Sequence, residues 1–126
     1  MKLQLTLSKL DPEDIARIRQ VASFLEKDIS HHYDVPDLAE MVCINRNKLQ
    51  TIFAIVYGMG PYAYLQTLRT EKAKEMLLDH YTMRQISVAV GFNGVGAVNN
   101  FIKFFKKQTS YTPLIYRRQH QSRIAS

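Results

Sequence analysis

Two stretches of the chain set hydrogen-bonding side chains on the exposed faces of short amphipathic helices. In the first, Arg46, Asn47, Lys48, Gln50 and Thr51 lie opposite an apolar stripe of Leu49, Ile52, Phe53 and Val56. In the second, Asn99, Asn100 and Lys103 lie outward of Phe101 and Phe105, and Lys106 and Lys107 follow. Amides offer a donor and an acceptor side by side, and cations meet anions, so the chemistry suits recognition rather than bond-making. No catalytic constellation accompanies them. The chain has no glycine-rich phosphate loop, no nucleophile–base pair in a familiar setting and no metal-ligand spacing. His31 and His32 are loop neighbours, which seldom converge on one ion, so neither metal nor cofactor is expected.

Charge points the same way. The 126 residues carry 17 Lys/Arg against 11 Asp/Glu, a net +6. Residues 1–60 hold 7 basic and 8 acidic side chains (−1), and residues 61–126 hold 10 and 3 (+7). An anionic partner is therefore approached mainly by the second half. The single cysteine, Cys43, excludes an intrachain disulfide and a multi-cysteine zinc site and fits a reducing cytoplasm. It reads as a small packed residue at a turn. There is no transmembrane run and no signal peptide, so no membrane partner is expected. Leu3, Leu5 and Leu7 alternate with polar residues in a strand-like way, as a leader or the remnant of an upstream domain would.

The elements that position these residues are helices. Asp11-Pro12-Glu13-Asp14 is a strong start, followed by Ile18, Ala22 and Leu25 at helical spacing. Asp34 with Asp37 opens a second helix, and Asn45 caps a third that ends at Gly58. Pro61 begins a long helix to about Asp79, and Thr82 with Gln85 opens a fifth. Gly91-Phe92 and a Gly/Asn-rich turn lead into the helix of Phe101 and Phe105. Pro113 starts a last short helix running into Arg117-Arg118, with a polar tail from Gln119 expected to fray. The fold class is all-α, with about seven helices. Residues 1–10 read as leader, 11–60 as one helix-turn-helix subdomain, 61–79 as a linker helix, 80–120 as a second such subdomain and 121–126 as tail.

The two subdomains are copies. Asp34/Thr82, Leu38/Ile86, Ala39/Ser87, Val42/Val90 and Cys43/Gly91 pair at an offset of 48. Leu49/Phe101, Phe53/Phe105, Gly58/Ser110 and Pro61/Pro113 pair at an offset of 52. The second copy therefore has four extra residues, all between Phe92 and Phe101. Ala39 and Ser87 are small where the first helix must let the second approach closely. A linker helix of this length spans roughly 28 Å at 1.5 Å per residue, which suits two recognition helices entering successive major grooves about 34 Å apart.

These residues resemble the DNA-binding domain of the AraC/XylS family of bacterial transcription regulators. The resemblance runs from about Ile15 to Gln119. It rests on Leu38-Ala39 with Asn45 and Leu49…Phe53, on Leu68-Arg69…Ala73…Leu77-Leu78 and on Ile86…Val90-Gly91-Phe92. Phe101…Phe105-Lys106-Lys107 and Thr112-Pro113…Tyr116-Arg117 complete it. By position it implies base contacts from Arg46, Asn47, Gln50, Thr51, Asn99, Asn100 and Lys103. The chemistry agrees, since Asn and Gln suit adenine, Lys suits guanine and a threonine methyl suits thymine. Lys48, Lys106, Lys107, Arg117 and Arg118 read as phosphate contacts, which position without specifying. Asn45 reads as a cap, Arg69 as either a phosphate contact or an internal ion pair, and Phe92, Phe101, Phe105 and Tyr116 as core. Ser110 stands where the family has glycine, and the turn after Phe92 is longer than is typical. The implied partners are double-stranded DNA and RNA polymerase, in the cytoplasm, with an effector or dimerisation domain outside this chain. A helical protein-interaction or adaptor module is the alternative.

Overall fold

A computed structural model describes residues 9–125, so the strand-like reading of Leu3–Leu7 lies outside the described residues. Seven helices follow in order: α1 Pro12–Lys27, α2 Val35–Met41, α3 Arg46–Tyr57, α4 Pro61–Leu78, α5 Met83–Ala89, α6 Ala97–Thr109 and α7 Pro113–Ala125. No strand occurs among the described residues, and no helix there is long and apolar enough to cross a membrane. The chain divides into two compact units between Gln66 and Thr67, inside α4.

In the first unit α1 and α2 each pack on α3. Ile18, Val21 and Leu25 of α1, Leu38 and Ala39 of α2, and Leu49, Ile52 and Phe53 of α3 are buried there. In the second unit α5 and α7 pack on α6. Its core takes Ile86 and Val90, Phe101 and Phe105 of α6, and Ala73, Met76 and Leu77 of α4. An aromatic series runs through it, with ring centroids 6.1 Å apart for Phe92–Phe101, 5.9 Å for Phe101–Phe105 and 5.5 Å for Phe105–Tyr116. Phe101 and Phe105 are fully buried as expected, whereas Phe92 and Tyr116 flank them half-buried. Tyr116 also stacks on His120, at 4.0 Å.

Three helix starts carry side-chain caps. Asp11 and Asn45 accept from the backbone N–H groups of Glu13 and Lys48 at 2.9 and 2.8 Å. Thr82 and Gln85 form a reciprocal capping box, at 3.1 and 3.0 Å. Asp34 occupies the cap position of α2 but makes no side-chain bond. Pro36 has no N–H to offer, and Asp37 places a second carboxylate in the same turn. The last helix is assigned over Pro113–Ala125, past the Gln119 at which the sequence reading places the start of the tail. Within it Tyr116 stacks on His120, whose Nδ1 lies 2.9 Å from the Tyr116 carbonyl.

The repeat is written in the backbone as well as in the side chains. The N–H groups of Ile44 and Phe92 donate to the carbonyls of Ala39 and Ser87, at 3.0 and 2.8 Å. Cys43 and Gly91 between them share a left-handed backbone, φ 57° and 99°. Cys43 is exposed on the outside of this turn rather than packed, which corrects the sequence reading. After the second helix of each unit, Gly58 (φ 77°, ψ 2°) and Ser110 (φ 71°, ψ 4°) end α3 and α6 with the same left-handed cap.

Serine is strained where glycine is not. Ser110→Gly should therefore raise stability by about 1 kcal/mol, read as a higher urea midpoint at unchanged slope. A second expectation concerns pH. The Tyr64 hydroxyl donates to Glu26 Oε1 at 2.7 Å, joining α4 to α1 within the first unit. Burial, and then the Glu26 carboxylate, push Tyr64 up to about 12. A raised pKa means that the folded state holds this proton more tightly. The associated stability is complete below about pH 10 and is lost as pH climbs through 12. Over that window Tyr64→Phe should lose stability less steeply than the wild type.

Candidate nucleic-acid interface

On α3 the buried residues are Leu49, Ile52 and Phe53, which leaves the opposite face to solvent. Arg46, Asn47, Gln50 and Thr51 are all exposed there. The pairs Arg46/Gln50 and Asn47/Thr51 are four residues apart, so the four form one stripe along the first turns of the helix. Asn45 is committed to capping through its bond from the Lys48 N–H, as its sequence position suggested.

On α6 the same division holds. Phe101 and Phe105 face the core, and Asn99, Asn100, Lys103, Lys106 and Lys107 are exposed. Asn99, Lys103 and Lys107 recur every four residues, with Lys106 beside them, so amides sit at the start of a continuous stripe and cations at its end. The four extra residues of the second copy are now placed. Relative to its anchor phenylalanine, α6 begins one residue earlier than α3 does, and Asn93-Gly94-Val95 form the longer turn. Gly96 occupies the cap position with φ 80° and has no side chain to cap with.

Two of the cations assigned to phosphate also make contacts within the fold, although half of the Lys48 side chain stays exposed. Lys48 Nζ lies 3.0 Å from Oδ2 of Asp14, a buried carboxylate that also meets Arg17 at 3.5 Å. A buried carboxylate needs a cation, so Lys48 is a clamp between α1 and α3. The sequence showed Asp14 only as a first-turn acid, and its partner lies too far along the chain to be read. Arg117, half-buried, donates from Nε to the Leu77 carbonyl at 2.7 Å and from its guanidinium to the Tyr81 carbonyl. Here α4 ends, with His80 left-handed (φ 63°) and the Tyr81 N–H reaching back to Met76 O at 3.2 Å. Arg117 meets carbonyls left open at the negative end of a helix. A readable signal existed in the helix stop before Thr82, but not the identity of its donor.

Arg118 is exposed on α7. Arg69 is buried on α4. Among the described residues no three His, Cys, Asp or Glu side chains gather where a metal could sit.

The helix-turn-helix domain family matches residues 38–119, well over half of the chain and both polar helix faces. A crystal structure of a transcriptional regulator from Chromobacterium violaceum, described as AraC-type, superposes with a TM-score of 0.70 at 25% identity, covering 82% of this chain and 91% of that one. The chain belongs to the AraC-type helix-turn-helix family. The AraC-type domain also aligns with the HTH-type transcriptional regulator AlkR of Acinetobacter baylyi, at 33% identity over 88 residues. That alignment covers 69% of this chain and 28% of AlkR, so the domain spans under a third of that relative's length. The DNA-binding domain of the global transcriptional factor AdpA, solved in complex with a target DNA, shares the fold, with a TM-score of 0.73 at 21% identity over 84% of this chain and 94% of that one.

The AraC-type architecture thus holds some cations for its own stability and exposes others, and mutation should separate them. Arg117→Ala should cost about 2–3 kcal/mol of folding stability, the value of hydrogen bonds from a charged donor. Lys107→Ala should stay within about 0.5 kcal/mol. Urea denaturation of the two variants checks this.

Proposed function

We propose that this domain binds double-stranded DNA sequence-specifically, with α3 and α6 as recognition helices entering successive major grooves. The observation that carries the proposal is the α6 face, where Asn99, Lys103, Lys106 and Lys107 form one exposed stripe opposite buried Phe101 and Phe105. A fold shared with AdpA, whose domain was solved on its target DNA, supports the reading. So does the net +7 of residues 61–126.

Within it, Arg46, Asn47, Gln50 and Thr51 on α3 and Asn99, Asn100 and Lys103 on α6 address base edges. Lys106, Lys107 and Arg118 address phosphates. Lys48, half exposed on α3, stays in that group, whereas Arg117 spends its guanidinium on the Leu77 and Tyr81 carbonyls. The subdomain boundaries near residues 60 and 80 belong to the same proposal. For the whole protein we place the activity in bacterial transcription regulation in the cytoplasm, with contact to RNA polymerase and an effector or dimerisation domain outside this chain. The small share of AlkR that the chain spans supports the last point.

Selection from a random DNA library should return a motif, and affinity should fall with salt. Replacing Lys106 and Lys107 by alanine should weaken all sequences alike and flatten the salt dependence by about two phosphate equivalents. Gln50→Ala or Asn100→Ala should instead relax preference at one base pair, by about 1–3 kcal/mol. Salt-independent binding with no motif would sink the proposal and favour a protein-interaction module.

A further inference from the structure

The longer turn before α6 is built, not slack. Gly94 and Gly96 both hold φ 80°, and the Ala97 N–H closes the turn on the Gly94 carbonyl at 3.3 Å. A Cβ at Gly94 would meet nothing within 4 Å, so the glycine serves the backbone angle rather than space. Between the two glycines Val95 stands fully exposed. It lies on a groove of about 440 Å³ between α5 and the start of α6, together with Arg84, Val88, Val98 and Asn99.

One exposed valine is ordinary. Three features make this one more than that. It lines the same groove as Asn99, one of the proposed base readers. No acidic residue lines the groove. Arg84 sits in the first turn of α5, where a cation opposes the helix dipole and so does nothing for the helix itself. At the offset of 48 the first copy has Pro36 and Glu40 in place of Arg84 and exposed Val88. The apolar, cationic groove is therefore special to the second unit.

We propose that Val95 packs on the C5-methyl of a thymine in the bound DNA while Arg84 takes a nearby backbone phosphate. The thymine methyl is the major groove's one apolar mark, and the residues at the start of a recognition helix are those that reach base edges. The two left-handed glycines let the chain turn so that the valine stands at the tip. This inference rests on the DNA-binding reading and adds a specificity-determining residue to it.

The test uses the site selected by the whole chain. Each thymine is replaced in turn by uracil, which lacks only the methyl, and affinity is measured for wild type and Val95→Ser. Wild type should lose roughly fourfold at a thymine facing the second unit, the value of one buried methyl. Val95→Ser, a change on an exposed turn, should bind the thymine and uracil forms of that site equally. Arg84→Gln should lower the salt slope by about one and leave base preference intact. If wild type selects a site but ignores the methyl at every thymine, or if Val95→Ser keeps the same uracil penalties, the Val95 assignment is overturned while DNA binding stands. An unchanged slope for Arg84→Gln overturns the phosphate contact. If no site is selected at all, the DNA reading falls and takes this inference with it.

Discussion

Burial of an aromatic pair on one side of α6 is the interaction on which the second unit depends. Phe101 and Phe105 are fully enclosed, and truncating a residue of this kind costs about 3–5 kcal/mol, a large part of a small unit's stability. That burial fixes the rotation of the helix about its axis. Once the phenylalanines are inside, Asn99, Lys103 and Lys107 have to be outside. Leu49 and Phe53 set the rotation of α3 in the same way. The recognition surface is the complement of the core.

Close approach is the second constraint. Ser87 and Ala39 are buried on the short helices that pack against α6 and α3. Ser87 carries a hydroxyl into that contact and satisfies it on the Met83 carbonyl at 2.6 Å. A larger side chain at either position would push the recognition helix outward, and overpacked contacts of this sort cost about 1–3 kcal/mol. The turns then re-aim the chain, with Cys43 and Gly91 sharing a left-handed backbone. In the second unit the added Asn93-Gly94-Val95 segment lengthens this connection without disturbing the anchors, since every extra residue falls between Phe92 and Phe101.

Positive charge divides into two populations. Lys48 and Arg117 also meet internal needs, a buried carboxylate and a helix end, Lys48 from α3 itself and Arg117 from α7. Lys103, Lys106 and Lys107 lie exposed on the helix itself. Net charge alone does not separate these groups, so a basic composition overstates how much charge a partner meets.

The sequence by itself determined the local features. Capping residues, apolar spacing and prolines mark about seven helices in order, and the offsets of 48 and 52 mark two copies. Both polar helix faces were legible because a helix with an apolar stripe has only one other side. The tertiary structure decided what depends on residues far apart in the chain. Lys48 meets Asp14 across the first unit, and Arg117 reaches back to the end of α4. It also turned Cys43 outward and fixed Val95 at the tip of a closed turn beside Asn99. Periodicity reports which face of a helix is buried. The partner of a buried charge or an open carbonyl is set by packing between elements, which no local pattern encodes.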